Sequence, residues 1–417
     1  MKFKIISLGC PKNLVESEYI VRKLENAGHV LSEEADTVII NTCAFIEDST
    51  KESIETILEE AQRKRVVVTG CLLERYGQKL PELMPEVDLF VGRNYYTEIT
   101  NLIDKKGLFL REGSFAETFP RRILTGKPSA YLKIQEGCDN RCSYCTVPDI
   151  RGGLKSRRPD DVVMELEWLL DNGFTEINII GQDITSYGKH ENTDLLGLLR
   201  RILMVRGDYY LRLLYMHPRG VTDELIGFIN SDERIIKYMD IPVQHSENKI
   251  LSLMGRGYTK GYLENLLGDI RERIPDAALR TTAIVGFPGE TDDDFECLYE
   301  FIKKWEFDML GAFMYSKEEG TGAYKMKGHV KKGVKRLRYN RIMEVQKEIS
   351  KKRLAMLQGK TTKVIVEGKE EGHMVGRLLT QAPDIDGIAF IKGKCVAGEI
   401  CEGKIVKTLD YDVIVEV

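Results

Sequence analysis

Between residues 130 and 314 a strand-like run returns six times: AYLKIQ, EINIIG, YLRLLYM, KYMDIPV, RTTAIVG and FDMLGAFM. Helical stretches such as DDVVMELEWLLDNG and DDDFECLYEFIKKW lie between them. A βα rhythm of this kind requires parallel pairing, because each helix carries the chain back to the same edge of the sheet. Six units fall short of the eight of a closed barrel, so the expected architecture is an open, partial (β/α)6 barrel. The segments after the strands are polar and punctuated by Gly and Pro: EGCDNRCSYC, GQDITSYG, HPRG, QHSEN, FPGET and YSKEEGT. Sites in βα barrels are built at the C-terminal ends of strands. Six such segments in register point to one active-site mouth.

The first of these loops holds Cys138, Cys142 and Cys145, spaced C-x3-C-x2-C. A disulfide uses two thiols and a structural zinc site uses four ligands. Three thiols suit a metal centre with one position left open, such as a [4Fe–4S] cubane held by three of its irons. The alternative is zinc with a remote fourth ligand, His217, His245 or Cys297. Charge nearly cancels, with 65 acidic against 61 basic residues, so no overall field advertises nucleic acid. The start MKFKIISLGC does not read as a signal peptide, and no apolar run approaches a membrane span. The expected location is cytoplasmic, where nine cysteines are ligands or catalysts more often than disulfides.

Residues 1–106 carry a second βα rhythm and predict a parallel α/β sheet domain. Cys10, Cys43 and Cys71 each end a β-rich run, in SLGC, INTC and VTGC. Ligands of open α/β sheets bind beyond the carboxyl ends of strands, so these three distant cysteines are expected to converge. Residues 107–128 lack periodicity and read as a linker, and the barrel region extends over 129–356. Its last segment, 331–354, predicts a long helix with ten Lys/Arg against two Glu. Val334, Leu337, Ile342, Val345, Ile349 and Leu354 approximate one apolar face; the helix is either a solvated linker or an RNA contact. Residues 357–417 predict a small antiparallel β-barrel of about five strands. Cys297, Cys395 and Cys401 have no partner motif and read as small buried hydrophobes.

GCDNRCSYCTVPDIRG on an open βα barrel resembles the radical S-adenosylmethionine superfamily. The resemblance implies that Cys138, Cys142 and Cys145 hold a [4Fe–4S] cluster whose open iron chelates S-adenosylmethionine. Tyr144 matches the aromatic near the adenine. Gln182 and Asp183, in GQD, match the motif that receives the methionyl amine. Gly286 matches a later cofactor-lining strand, and Gln244 faces the mouth. A three-cysteine α/β domain before the barrel and a TRAM-like barrel after it resemble the methylthiotransferases. In that family a second [4Fe–4S] cluster is implied on Cys10, Cys43 and Cys71, carrying the sulfur to be transferred. No catalytic side chain is singled out, and neither the electron donor nor the sulfur donor is identified. A non-enzymatic iron–sulfur sensor is the different-class reading, and it would need no GQD or GFPGE strand ends.

Two branches of that family compete. SLGCPKNLVESE and GRLLTQAPDIDG resemble the branch that methylthiolates an aspartate β-carbon of small-subunit ribosomal protein twelve. The branch acting on a transfer-RNA adenosine beside the anticodon typically has Gln-Met-Asn where this chain has Pro11-Lys12-Asn13. The last domain is mildly acidic, with eight Lys/Arg against ten Asp/Glu, and suits a basic protein partner gripped through Asp384 and Asp386. The basic helix 331–354 would face ribosomal RNA if the substrate is presented within the ribosome.

Overall fold

A computed structural model describes residues 1–113 and 119–417; of the expected linker, 114–118 lie outside the described residues. The first domain is one parallel sheet in the order β2-β1-β3-β4-β5-β6. Its strands are β1 (Lys2–Ser7), β2 (Val30–Leu31), β3 (Thr37–Thr42), β4 (Arg65–Gly70), β5 (Leu89–Val91) and β6 (Gly107–Phe109). Helices α1 (Pro11–Asn26), α2 (Glu47–Ala61), α3 (Cys71–Tyr76), α4 (Leu80–Leu83) and α5 (Ile99–Leu102) cover it. Alternate residues of one strand point to opposite faces. Ile39 and Val67 therefore pack under α1 and α5, while Val38, Ile40, Val66 and Val68 pack under α2 and α3. The segment read as a linker begins inside this sheet, because Leu89–Val91 pairs with Gly107–Phe109. Three apolar residues are enough for an edge strand, and GLF carries no period to announce one.

The second domain contains two three-stranded parallel sheets. One is made of β7 (Ser129–Lys133), β10 (Glu176–Ile180) and β11 (Tyr210–Leu213); the other of β12 (Tyr238–Asp240), β13 (Ala278–Val285) and β14 (Met309–Met314). A bridge between Leu211 and Ile235 joins them into one curl of six. A short antiparallel pair, β8 (Gln135–Glu136) with β9 (Lys155–Ser156), flanks the cysteine loop. Helices α6 (Val147–Arg151), α7 (Pro159–Asp171), α8 (Leu195–Met204), α9 (Asp223–Ser231), α10 (Asn248–Leu253), α11 (Lys260–Arg273) and α12 (Asp292–Trp305) connect the strands. Outward residues such as Leu132, Ile177, Ile179, Leu211, Met239 and Leu279 form the main core. The opposite face is polar at Glu176, Asn178, Arg212 and Asp240, all buried.

That inner face is closed by the chain's two ends. Leu14 and Val15 of α1 and Leu379 and Ala382 of the last domain pack against Tyr131, Ile180, Leu214 and Tyr238. The last domain is a closed barrel, β15-β16-β17-β19-β18, built from β15 (Thr361–Glu370), β16 (His373–Leu378), β17 (Ala389–Lys392), β18 (Ile400–Thr408) and β19 (Val413–Glu416). Its Arg377 donates to both carboxylate oxygens of Glu176 and to Ser129, at the start of β10 and β7. Asp386 accepts from Tyr238 Oη at 2.8 Å and from the Ala382 N–H at 2.8 Å. Asp386 therefore serves the seal between domains, and the Tyr131 hydroxyl reaches Asp384 at 3.4 Å. Of the acidic pair expected to grip a partner, Asp386 turns inward because Tyr238 and Arg280 offer it donors, while Asp384 stays exposed.

Helix α13 (Lys332–Ala355) lies against β14 and α12, burying Ile342, Gln346 and Ile349. Much of its positive charge is paired within the chain: Arg338 with Glu290, Arg341 with Glu296, Lys347 with Asp410, Lys352 with Glu306 and Arg353 with Asp308. Leu337, expected on the apolar face, is 62% exposed. Among the described residues no helix is long and apolar enough to cross a membrane.

Candidate functional site

Cys10 caps the N-terminus of α1, Cys43 follows β3, and Cys71 opens α3 after β4. β1 lies between β2 and β3, so its end and that of β3 flank the crevice where the strand order reverses, the usual ligand position of an open α/β sheet. Gly9 has φ +86°, and a Cβ there would stand 2.7 Å from Cys43 Sγ. Only glycine lets the loop bearing Cys10 pass that close to the one bearing Cys43. Asn13 ties the three loops together. Its side-chain NH2 donates to Leu8 O and Thr42 O, both at 2.9 Å, and its Oδ1 lies 3.7 Å from Cys71 Sγ. Asn13→Ala is expected to cost about 1–3 kcal/mol for each buried acceptor left unpaired. A urea midpoint would read the stability, and iron content after reconstitution would read the scattering of the cysteine loops.

The second triplet sits on the loop after β8. Gly137 has φ +74°, and a Cβ there would collide with the carbonyl of Gly153. The loop is pinned from several sides. Ser143 N donates to Met254 O at 3.0 Å and Cys145 N to Cys142 O at 3.0 Å, while His190 Nε2 lies 2.6 Å from Asp139 Oδ2. Arg256, buried, sets Nη1 3.3 Å from Cys142 Sγ and 3.4 Å from Tyr144 Oη, with Nε on Tyr258 Oη at 2.7 Å. Burial pushes the thiols of Cys71 and Cys145 up, to about 11 and about 12. Burial also raises Cys43 and Cys138. For Cys10, burial is outweighed by Lys12, Arg151 and backbone N–H groups, and its pKa falls. Bound metal would deprotonate all of them.

A buried charge network joins the triplets. Arg151 lies 3.2 Å from Cys71 Sγ and donates to Asn13 Oδ1, to Glu16 at 2.7 Å and to Glu136 at 3.1 Å. Glu136, immediately before Gly137-Cys138, also accepts from Arg93 at 2.7 Å, Lys133 at 2.6 Å and Gln182 at 2.6 Å. These cations hold its carboxyl well below the usual range despite burial. Lys12, 7% exposed, reaches from α1 to place its ammonium 3.3 Å from the ring centroid of Tyr215. Burial pulls its pKa down. A desolvated cation–π contact is worth about 2 kcal/mol, less than the several kcal/mol that burying an ammonium costs.

The other sequence-predicted residues sit at the same mouth with different duties. Gln182 and Gln244 each keep a buried side-chain oxygen with no donor, as does Gln135; Gln244 is held at φ +65°. Asp183 is fully engaged: it accepts from Thr185, Ser186, Asn140 and the His217 N–H, tying the β10 loop to the cysteine loop. The Tyr144 ring packs against Ile250, Met254, Phe287 and Tyr315. Gly286, at φ +73°, faces Lys335 of α13, whose Cγ would be 2.4 Å from a Cβ there. Burial lowers His217 to about 4. The reading of the sequence missed Arg256, Arg151, Glu136 and Asn13. A glycine directly before Cys10, Cys71 and Cys138 was the one local signal of how tightly these loops pack.

Among the described residues no group of three or more His, Cys, Asp or Glu side chains is gathered for a single metal ion. A cubane binds its thiolates at separate irons and so holds them further apart than one ion does. The all-thiol donor sets suit iron–sulfur chemistry. The donorless oxygens of Gln182 and Gln244 suit a ligand that brings N–H groups into the mouth.

Three family models match in series: "Uncharacterized protein family UPF0004" over residues 2–92, the radical SAM superfamily over 132–302 and a TRAM domain over 359–417. In fold, the chain is similar to the radical S-adenosylmethionine methyltransferase TsrM from Kitasatospora setae, with TM-score 0.55, 17% identity and coverage of 75% of this chain and 74% of that one. It is also similar to the cobalamin-dependent enzyme OxsB, with TM-score 0.52, 12% identity and coverage of 84% and 56%. The radical SAM model and the relatives named next define a radical S-adenosylmethionine transferase that uses S-adenosylmethionine and iron–sulfur. Ribosomal protein uS12 methylthiotransferase RimO of Acetivibrio thermocellus is 43% identical over 100% of this chain and 98% of its own. The proteins of that name from Thermotoga maritima and Geobacter sulfurreducens are 41% and 42% identical, covering 99% and 100% of this chain and 99% and 98% of theirs. The chain belongs to the family of ribosomal protein uS12 methylthiotransferases.

Proposed function

We propose that this protein adds a methylthio group to the β-carbon of an aspartate of ribosomal protein uS12. Identity of 41–43% along the whole chain to transferases of that name is the observation that carries the reading. Two [4Fe–4S] clusters are assigned, one to Cys138, Cys142 and Cys145 and one to Cys10, Cys43 and Cys71. When bound, the barrel cluster with S-adenosylmethionine supplies the one-electron chemistry that removes hydrogen from an unactivated carbon, and the N-terminal cluster supplies sulfur beside it. The protein's share is position and dryness. Gln182 and Gln244 accept N–H groups of S-adenosylmethionine, and Tyr144 and Gly286 form the wall around it. Asp183 acts by holding its loop against the cysteine loop. The Arg151–Glu136 link keeps the two cysteine sites at a fixed separation, the condition for fast transfer between them. Leu14, Val15, Leu379 and Ala382 keep water from the interior. An electron donor and a sulfur donor complete the proposed set of partners.

Tryptic peptides of uS12 from cells with and without the gene test this reading by mass spectrometry. The expected result is one methylthio group in place of one hydrogen on a single aspartate, only when the gene is present. Methylthio-adenosine in transfer RNA with uS12 unmodified would move the chain to the RNA branch.

A further inference from the structure

Each carboxylate near the Lys12 ammonium is engaged by something else. Asp240 accepts the Tyr215 N–H on Oδ2 at 2.8 Å and Arg280 on Oδ1 at 3.1 Å. Glu136 is taken by Arg93, Lys133, Arg151 and Gln182. None of the ion pairs of the described residues includes Lys12, and its partner is the face of Tyr215. Tyr215 follows β11 at the mouth of the half-barrel and is itself strained, at φ +66°, an unusual region for a bulky side chain. Lys12 stands two residues after Cys10 on the first turn of α1. Its ammonium is thus placed between the N-terminal cysteines and the barrel mouth, with its water removed, Cys10 as its anionic neighbour and no carboxylate of the chain free to pair with it.

We infer that Lys12 is the specificity residue that receives the substrate's side-chain carboxylate. This rests on the proposed aspartyl substrate. The reacting β-carbon is bonded directly to that carboxylate carbon, so an ammonium holding the carboxylate also holds the β-carbon. A charge-assisted pair of this kind would give this buried cation the carboxylate partner it lacks. It would also select aspartate over asparagine, which offers the same shape without the charge.

The test uses reconstituted full-length protein and two synthetic peptides spanning the uS12 target loop, with Asp or Asn at the modified position. Binding is read by fluorescence anisotropy, modification by mass spectrometry and iron by chemical assay. Wild-type protein should modify the Asp peptide and bind it about 10- to 100-fold more tightly than the Asn peptide, the range of a hydrogen bond to a charged group. Lys12→Met should lose that preference, bind the Asn peptide as wild type does and keep its iron. Lys12→Arg should restore much of the preference. If wild type modifies the Asp peptide and Lys12→Met keeps the preference, the inference fails while the proposed function stands. Loss of iron in Lys12→Met would make the lysine a support of the cysteine loops and also overturn the inference. A wild-type protein that modifies neither peptide would overturn both.

Discussion

Protein in which Cys10, Cys43 and Cys71 are replaced by alanine is expected to form no methylthiolated product and still to cleave S-adenosylmethionine to 5′-deoxyadenosine. The two triplets lie on different domains, each on loops held by its own glycine and hydrogen bonds. The barrel loop is fastened by Arg256, Met254 and His190, none of which belongs to the N-terminal sheet. Removing the first triplet therefore leaves the second intact, and iron after anaerobic reconstitution should fall to about half, as three thiolates per cubane require. The reciprocal replacement of Cys138, Cys142 and Cys145 should also halve the iron but remove both activities. Loss of 5′-deoxyadenosine in the first variant, with the barrel cluster shown spectroscopically to be present, would break this division of labour.

The second large effect concerns the seal under the half-barrel. Glu176 is fully buried, and Arg377 and Arg212 bring its pKa down to about 2 against the opposing effect of burial. Arg377→Ala leaves a buried carboxylate short of a partner and should cost about 3–5 kcal/mol, the range for breaking one side of a buried pair. A Glu176 pKa depressed on folding contributes stability that is complete above the unfolded carboxylate pKa. That stability is lost as pH falls from about 4.5 toward about 2 and amounts to roughly 3 kcal/mol. Urea unfolding of the wild type should therefore weaken through this window. Glu176→Gln, already lacking the charge, should be less stable at neutral pH and flatter below pH 4.5. A wild-type midpoint that does not move across the window would show that the pair contributes nothing net.

The βα rhythm and the strand-end positions of Cys10, Cys43 and Cys71 were legible in the sequence, because each of the three ends an apolar run whose period is local. What lay beyond reach was long-range. Arg256 meets Cys142 across 114 residues and Arg151 meets Cys71 across 80, and no local pattern marks an arginine for such a partner. Charge counting failed at Asp386 for a related reason. A net count treats every carboxylate as facing solvent, whereas Asp386 meets Tyr238 on the inner face of another domain and Asp384 alone stays exposed. Of the two readings of the basic helix, the one in which a single face packs is the one the structure matches, and much of its charge is paired with acids of its own chain.

The central half-barrel is closed by α1 from before it and by residues 379–386 from after it. During synthesis the chain emerges N-terminal part first, so Glu176 is made 201 residues, and Arg212 165 residues, before Arg377. Until then the inner face stays wet, and the mouth is built over an open base. Maturation is thereby ordered in time: a chamber able to confine reactive chemistry exists only after the last domain has left the ribosome, the same machine whose protein this enzyme is proposed to modify.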